Sequence, residues 1–519
     1  MSDADRTRPQ AAEADPPSGG AVGRVARGGA VNLVGAASSA VLGFALTTLV
    51  ARGLDDGVAG VFFTTTSAFI VAVALADLGV STGLVYFISR ARTVGTADQV
   101  RGFVQVARGP VLVVAATTGL VALVAAPVLG GVIGPDRPDA TAAALRWLAP
   151  FLVVAVVENL AVSATRGTGT MRPTAVTTLV LRPVAQLVLV GVAVLAARPD
   201  LVVPAWAVGY VVSAVVAVVW SRRLLGFDVL RPGGGPGPRG EFWRFTWPRA
   251  VMAAAQVAMQ RLDVVLVGAL AGAVPAAVYA AATRFVVAGQ MGAQAVGLAA
   301  QPRFAALFAV GDLASVRALY RVSTAWLVLM TWPLYLVLAV YADVAVRVFG
   351  AGYEGGDVVV TVLAAAFMLG ALLGMVDVLL VMSGRTTWTL VNTLVGFATL
   401  VVLDLLLVPA HGVLGAACGW AGAIVLRNVL AAVQVRVALG VDAVGTPLAT
   451  AVLLAGGAVG VPLVGARALV DSAPLAALLA GMVALPLYAA GCYVARRQVH
   501  LPELAQALRR RDGRAPATG

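Results

Sequence analysis

The sequence predicts an all-α, polytopic membrane protein that crosses the bilayer about fourteen times. Of its 519 residues, 60% are hydrophobic and only 12% are charged, which gives a mean hydropathy of +0.92. A water-soluble protein cannot bury so much apolar surface, and no polar stretch is long enough to form a separate soluble domain. The apolar residues also fall into runs of about 20, the length of a helix that spans a bilayer.

The predicted spans follow one another with short loops between them. Several are longer than the bilayer requires, and a long helix either tilts or continues beyond the hydrocarbon core. In chain order the predicted spans are 28–51, 58–88, 104–126, 141–163, 174–196, 201–221, 248–270, 275–300, 321–342, 358–382, 387–408, 412–435, 447–469 and 474–495.

Arginine placement predicts the orientation of the spans. All 37 basic residues are arginines, and the net charge is +12. Every loop on one side carries arginine (Arg90, Arg172 and Arg317 are examples), whereas two loops on the other side carry none. Because basic residues concentrate in cytoplasmic loops, we expect both termini in the cytoplasm. The arginine-only usage and the Ala, Val and Gly content suggest a GC-rich bacterium, so the expected location is the bacterial plasma (inner) membrane.

A Gly- and Pro-rich stretch, RPGGGPGPRG at 231–240, divides the chain. Segment 51–67 aligns with segment 267–283, each with a small-residue turn followed by an aromatic residue, so the flanks resemble parallel repeats. The predicted units are a disordered cytoplasmic tail (1–23), a six-helix N-lobe (24–222), a cytoplasmic linker (223–247), a six-helix C-lobe (248–438), two extra C-terminal helices (439–497) and a cytoplasmic tail (498–519).

The stretch from Arg261 to Arg303 places three charges inside apolar spans: Arg261 and Asp263 in one, and Arg284 in the next. At 1.5 Å per residue, Arg261 lies ~18 Å and Arg284 ~16 Å from the cytoplasmic face of a ~30 Å core. Charge at this depth is costly and by default marks a functional site. Two arginines against one aspartate leave a cation without a partner, which an anionic ligand could satisfy.

Two roles remain open for Arg261 and Arg284. They could hold a pyrophosphate in a cavity, because the planar guanidinium stays charged and bonds phosphate through two donors. They could equally form salt bridges that lock two helices together. For Asp263 we favour the structural role; it points to a different side of the helix from Arg261 and could pair with Arg284 or another helix.

Other polar residues within the spans have two interpretations each. Asp77 is either a carboxylate that couples transport to H⁺ or Na⁺, or a cap or hinge beside Gly79 and Gly83. Gln260 and Gln290 could bond sugar hydroxyls or join helices, and the same holds for their neighbours Gln256 and Gln294.

The remaining intramembrane charges are expected to need no special role. Glu158 and Asp377 lie near cytoplasmic ends of spans and Asp404 near an outer end, so we interpret them as wet or solvated. Arg182 could snorkel to the interface, and Arg427 is assigned no role. At the outer mouth, Arg52, Asp55 and Asp56 are interpreted as a solvated loop, with a gate pair as the alternative.

Several segments resemble polysaccharide flippases of the multidrug/oligosaccharidyl-lipid/polysaccharide (MOP) exporter superfamily, in its O-antigen-flippase-like (Wzx-like) branch. They are ARGLDDGVAGVFF and ADLGVSTGLVYFISR in the first half, and RLDVVLVGALAG, AAVYAAATRF, VFGAGYEGGDVVVTVLAAAFML and GVLGAACGWA in the second. The resemblance covers roughly residues 28–440. It implies two six-helix lobes around a central cavity, which alternate access to move polyprenyl-pyrophosphate-linked sugars outward. Two helices after a twelve-helix core also occur in these flippases, whereas drug/cation antiporters usually stop at twelve.

We therefore expect a flippase for a polyprenyl-pyrophosphate-linked oligosaccharide, a precursor of polysaccharide or cell wall. Its partners would be this substrate, membrane lipids and H⁺ or Na⁺ as a candidate coupling ion. No covalent chemistry is needed, so we expect no enzyme activity, catalytic residue, cofactor or metal site. The arginines lie in loops between apolar spans, so no nucleic acid partner is expected.

Three alternatives remain. A cation-coupled small-molecule or drug antiporter of the same superfamily would depend on an intramembrane acid such as Asp77. A membrane polysaccharide polymerase or ligase would need a sizeable outer loop with catalytic groups, but the loops near 127–140 and 343–357 are short and carry no histidine. A scaffold that recruits cytoplasmic enzymes through its charged tails is the third.

Overall fold

The computed structural model describes residues 19–96, 99–233 and 238–499, which are helical with short turns and contain no strand. Residues 1–18 of the predicted tail, 234–237 of the predicted linker and 500–519 of the last tail lie outside the described residues. Within them, eleven helices are long and apolar enough to cross a membrane, or up to twelve if one bent pair counts as a single span. The all-α polytopic class is confirmed, whereas the count of fourteen spans is not.

The first half of the chain begins with a helix whose first residues fall within the predicted tail. Its helices are α1 (Gly19–Gly53), α2 (Asp56–Ala76), α3 (Val80–Val94), α4 (Gln99–Val124), α5 (Ala126–Ile133), α6 (Pro138–Leu148), α7 (Phe151–Gly167), α8 (Arg172–Thr174), α9 (Arg182–Leu195) and α10 (Val202–Leu225). A π-helical turn, Ala175–Leu181, joins α8 to α9.

The second half contains the longest helices. They are α11 (Arg239–Ala271), α12 (Ala273–Ala309), α13 (Leu313–Val340), α14 (Ala342–Val346), α15 (Gly356–Leu373), α16 (Val376–Met382), α17 (Thr386–Leu439), α18 (Thr446–Ala455), α19 (Val461–Leu469) and α20 (Ala473–Val494). Short 3-10 turns at Arg347–Phe349 and Ala351–Tyr353 connect α14 to α15, and a π-helical turn at Gly456–Gly460 connects α18 to α19.

Three predicted spans are broken. Span 358–382 divides into α15 and α16 at Gly374, whose φ of 73° is left-handed. Span 58–88 divides into α2 and α3, because Leu78 (φ 48°) and Gly79 (φ 71°) adopt left-handed backbone conformations that a helix cannot continue through. Span 141–163 divides into α6 and α7, which are bent by 42° at the break.

Helix α11 starts at Arg239, nine residues before the predicted span at 248 and inside the predicted linker 223–247. Its additional turns bury aromatic residues against α3 and α4. Phe242 is fully buried beside Phe87, and Phe245 stacks on Tyr86 with ring centroids 4.1 Å apart. Burial of these rings stabilises helix in a segment whose average hydropathy is too low to indicate a span.

Helix α17 is a hairpin. Gly412 has a non-helical backbone (φ 54°, ψ −130°), and the chain folds back at this point. The two arms pack side by side, with the amides of Asn392 and Gln434 joined by reciprocal hydrogen bonds of 2.7 and 2.9 Å. Close contacts from Gly415 to Leu407 and from Gly419 to Asp404 extend along the hairpin. Its arms match the predicted spans 387–408 and 412–435.

The two halves of the chain meet tightly at the predicted outer end. A Cβ on Gly60 of α2 would overlap the carbonyl oxygen of Ala273, at the start of α12. Small residues allow this close approach between membrane helices. The contact brings α2 against α11 and α12, so that the charged stretch 261–303 lies at the centre of the molecule.

Candidate functional site

Arg261 on α11 and Arg284 on α12 lie near each other, as their predicted similar depth requires. Both are half-buried, and each guanidinium is within electrostatic range of the carboxylate of Asp263. Neither forms an ion pair or a hydrogen bond with any residue in the described ranges, and the Nε of Arg284 is buried without a partner. The two guanidinium groups therefore repel each other, and both retain N–H donors without an acceptor.

Asp263 is fully engaged elsewhere. The Tyr279 hydroxyl on α12 donates to its Oδ2 at 2.6 Å, and the Val264 backbone N–H donates to its Oδ1 at 2.9 Å. Tyr279 and Asp263 are both buried, so this bond joins α11 to α12 in the core. The geometry favours the helix-joining role that the sequence suggested for Asp263, and it leaves the two arginines without a direct partner.

Asp404 is buried rather than solvated, which corrects the sequence interpretation. It lies on the first arm of α17 with 0% exposure, and neither carboxylate oxygen has a hydrogen-bond partner among the described residues. The hairpin explains the burial, since the second arm covers Asp404 at Gly419. The carboxylate is also within electrostatic range of Asp263 and Tyr279. Two acids, one of them without a hydrogen-bond partner, therefore lie within electrostatic range of each other, and Asp263 is also within range of both arginines.

Glu158 on α7 is likewise buried, not wet as predicted. Its carboxylate accepts hydrogen bonds from Ser213 (2.6 Å) and Thr178 (3.1 Å) and pairs with Arg182 at 3.3 Å. The guanidinium of Arg182 lies 4.7 Å from the centre of the Tyr210 ring, so it is held inside the bundle instead of reaching to the interface. The π-helical turn directly before Arg182 changes the angular register at this position.

Tyr210 connects this cluster to the centre of the molecule. It lies within electrostatic range of Arg182 and Arg261, on opposite sides of the boundary between the two halves. The sequence analysis did not identify Tyr210. Its signal, a single aromatic residue in an apolar span, is indistinguishable from that of a core residue until its neighbours are known.

Asp77 closes the turn between α2 and α3. It follows the last residue of α2 and accepts hydrogen bonds from the backbone N–H (3.2 Å) and the hydroxyl (2.8 Å) of Ser81. These bonds cap the first turn of α3, which begins just after the left-handed Gly79. The geometry favours the cap or hinge role over the ion-coupling role.

A cavity of about 570 Å³ lies among helices α11, α12, α13, α15, α16 and α17. Gln260 and Gln290 line it, as do Gln256, Gln294 and Gln301. Arg261 and Arg284 do not contribute to its lining. The four residues predicted to form one substrate site are thus divided between an amide-lined cavity and the neighbouring cationic layer.

An ion pair that the sequence analysis did not predict lies on the wall of this cavity. Arg427 of α17 bonds Asp377 of α16 at 3.0 Å, and Asn428 lies beside them. Asp377 was expected to be wet and Arg427 to have no role. They meet because α16 and the second arm of α17 pack together, a contact between residues 50 positions apart in sequence.

The predicted outer mouth is closed by contacts between loops. Asp55, which caps α2, pairs with Arg137 at 2.8 Å, and the Nε of Arg52 donates to the carbonyl of Val348 at 2.6 Å. Asp136 accepts a 3.0 Å hydrogen bond from the backbone N–H of Ala273. Arg52 and Asp136 thus bond across the two halves, whereas Asp55 pairs within its own half, and Arg52 forms no ion pair with Asp55 or Asp56 in the described residues.

The described residues contain no group of three or more His, Cys, Asp or Glu side chains that could hold a metal ion. The two cysteines, Cys418 and Cys492, are free thiols in different helices.

The fold is that of known membrane transporters. The chain is similar to the lipid II flippase MurJ in an inward closed conformation (TM-score 0.72, 10% identity, covering 90% of this chain and 98% of that one). It is also similar to an inward-facing multidrug resistance MATE family transporter of the MOP superfamily (TM-score 0.63, 14% identity, 78% and 94% covered). A MOP superfamily transporter from Pyrococcus furiosus, described as having a binding pocket of reversed polarity, gives a TM-score of 0.55 at 15% identity, with 81% and 96% covered.

Comparison of the sequence with known protein families identifies the family of this chain. No curated protein matches the chain significantly. Residues 25–308, more than half of the chain, match the family model described as polysaccharide biosynthesis protein. Together with the MOP-type fold, this match confirms the family resemblance drawn from the sequence. The chain therefore belongs to the polysaccharide biosynthesis protein family.

Proposed function

We propose that this protein is a flippase that moves a polyprenyl-pyrophosphate-linked oligosaccharide across the bacterial plasma membrane by alternating access. The observation that carries the proposal is the central pair Arg261 and Arg284, two adjacent cations with no ion-pair partner in the described residues. Burying an unpaired ion costs on the order of several kcal/mol, so such a pair persists where a ligand compensates it.

A pyrophosphate diester fits this pair by charge and by geometry. It carries one negative charge on each phosphate, which matches two guanidinium groups. Arginine bonds phosphate through two parallel N–H donors, and both side chains have donors that the protein leaves unused. In this scheme the polyprenyl tail remains in the surrounding lipid, and the sugars occupy the space beside the arginines.

Transport in this scheme is a rocking of the N-lobe (24–222) against the C-lobe (248–438), with both termini in the cytoplasm. The outer mouth, held by the hydrogen bond from Arg52 to the Val348 carbonyl and by the Gly60–Ala273 contact, opens as the cytoplasmic side closes. No covalent step is required, so no enzyme activity is proposed.

We place the coupling ion at Asp404 with Asp263, not at Asp77. Asp77 is occupied as a cap, whereas Asp404 has two unpartnered oxygens and a second carboxylate nearby. Binding of H⁺ or Na⁺ would relieve the repulsion between the two acids. Because Asp263 is also within electrostatic range of both arginines, its charge would link the ion site to the anion site.

A second candidate function is a cation-coupled small-molecule antiporter. The same orphaned carboxylate of Asp404 favours it, since a cationic substrate could compete there with the coupling ion. It predicts transport that needs no lipid carrier and that stops when Asp404 is replaced by Asn.

The test is flipping in proteoliposomes that contain purified protein and a fluorescent polyprenyl-pyrophosphate oligosaccharide, scored by quenching of headgroups that an external reagent reaches. We expect transfer faster than in empty liposomes, with a rate that depends on an imposed H⁺ or Na⁺ gradient. Absence of transfer by a folded protein, together with gradient-driven uptake of small cations, would favour the antiporter instead.

A further inference from the structure

The amide-lined cavity has its own set of lining residues, which does not include Arg261 or Arg284. Its described lining residues include two charged side chains, Asp377 and Arg427, and these neutralise each other at 3.0 Å. The wall therefore has no net charge to attract an anion. A pyrophosphate has its counter-charges at the arginine pair, so the cavity is suited to a neutral and polar part of a ligand.

The glutamines supply that polarity. Gln256 and Gln260 are one helical turn apart on α11, and Gln290 and Gln294 are one turn apart on α12. None of these four amides is hydrogen-bonded to a side chain or backbone group in the described part of the chain, so they do not join the helices. An amide offers both donors and an acceptor, which allows it to bond hydroxyl groups in either direction.

Aromatic side chains form another wall of the cavity. Trp420 meets the edge of Phe367 at 5.8 Å, and Phe367 stacks on Tyr335 at 5.7 Å. The Tyr335 ring fits against Gly289, and its hydroxyl is already bonded to the carbonyl of Val286. This wall is apolar, apart from the indole N–H of Trp420, for which the described residues supply no acceptor.

The dimensions connect the cavity to the arginines. Gln260 directly precedes Arg261, and successive residues on a helix point about 100° apart, so one side chain faces the cavity and the next faces the cationic layer. Gln290 lies six residues beyond Arg284, which is ~9 Å along α12 toward the predicted cytoplasmic side. One molecule with an anionic end and a polar end could occupy both places. A volume of about 570 Å³ is within the range of small-molecule sites.

We infer that this cavity is a sugar subsite, which binds a neutral, hydroxyl-rich headgroup between the glutamine amides and the aromatic wall of Trp420 and Phe367. The inference rests on the proposed function, because the sugar is the part of the substrate that extends from the pyrophosphate held by Arg261 and Arg284. Anion binding and sugar recognition are then carried out by different residues and can be separated by mutation.

The test compares two probes on the full-length protein in nanodiscs: polyprenyl pyrophosphate, and the same lipid carrying a neutral disaccharide. We expect the disaccharide to tighten binding at least about tenfold, the effect of one or two net hydrogen bonds. The double variant Gln260→Leu/Gln290→Leu should lose that gain and bind the bare lipid as the wild type does. Both side chains are at least partly exposed, so the variant should fold.

Two controls keep the result specific. Gln105→Leu changes a glutamine whose amide bonds the carbonyl of Arg231 far from the cavity, and it should keep the gain from the disaccharide. Trp420→Leu should lose part of the gain, whereas Trp420→Phe, which keeps an aromatic wall, should lose less.

The outcomes separate this inference from the proposed function. Equal binding of the two probes by the wild type, or an undiminished gain in the double glutamine variant, would overturn the sugar subsite while bare-lipid binding still supports the anion site. Failure of the wild type to bind either probe would overturn both.

Discussion

Two buried carboxylates should respond differently when their charge is removed. Glu158 and Asp404 are each 0% exposed within membrane-spanning helices. Glu158 is fully partnered, whereas Asp404 has no hydrogen-bond partner in the described residues. The substitutions Glu158→Gln and Asp404→Asn preserve the shape of the side chain and remove its charge. The difference between their losses in unfolding free energy therefore measures how much the hydrogen-bond and ion-pair partners of Glu158 contribute to stability.

The cost at Glu158 follows from its contacts. Removing one member of a buried ion pair costs about 3–5 kcal/mol. The lower end applies, because Arg182 remains 22% exposed and keeps its position over the Tyr210 ring. The 2.6 Å hydrogen bond from Ser213 becomes a neutral one, which weakens it by about 1 kcal/mol. We expect Glu158→Gln to lower the free energy of unfolding by about 4 kcal/mol.

The corresponding change at Asp404 should be small. Asp404→Asn loses no protein hydrogen bond and removes the repulsion toward Asp263. It exchanges one unsatisfied buried polar group for another of the same size, so the packing against Gly419 is retained. We expect a change in unfolding free energy within about 1 kcal/mol, with loss of gradient-dependent transport.

Equilibrium unfolding in mixed micelles, followed by tryptophan fluorescence, measures both variants under one condition. A loss at Asp404→Asn as large as at Glu158→Gln would show that Asp404 is a structural residue and refute its assignment to ion coupling. An unchanged free energy of unfolding in Glu158→Gln would refute the assignment of the Glu158–Arg182 pair as a stabilising contact.

Two further substitutions test the central contacts. Tyr279→Phe removes the hydroxyl that donates to Asp263 at 2.6 Å. Because hydrogen bonds to charged groups contribute about 1.5–3 kcal/mol, we expect the free energy of unfolding to fall by about 2 kcal/mol in the same assay. Unchanged stability would contradict this prediction. Gly60→Ala places a methyl group against the Ala273 carbonyl and should destabilise this closed contact between the two halves by about 1–3 kcal/mol, seen as increased labelling at the predicted outer end. Gly43→Ala, with open space around it, is the matched control, and an equal effect of both would contradict the close-packing argument.

The all-α class and most helix positions could be predicted, because an apolar run long enough to cross a bilayer leaves few other structures. The positions at which predicted spans break could not be predicted from the sequence. The left-handed backbone at Leu78 and the extension of α11 to Arg239 depend on tertiary contacts, and the aromatic residues near Phe242 are too sparse to indicate a helix on their own.

The candidate site shows the same limit. Depth along a span identified Arg261, Arg284 and Asp263 as unusual charges, and the structure brings them together. Depth alone wrongly predicted that the side chains of Glu158 and Asp404 are exposed to water, because burial near the end of a span depends on the helix that covers the residue. For Asp404 that cover is the returning arm of α17, and for Glu158 it is the side chains of α9 and α10 and the π-helical turn.

The most direct measurement of the central claim is flipping by the Arg261→Gln/Arg284→Gln variant in proteoliposomes, beside wild type and Arg198→Gln. Arg198 pairs with Asp200 in an exposed loop, so it controls for loss of one arginine away from the site. We predict that the double variant folds with near-native stability, because neither side chain forms an ion pair in the described structure, and that it no longer flips polyprenyl-pyrophosphate oligosaccharide, while Arg198→Gln flips normally. Full flipping by the folded double variant would contradict the account.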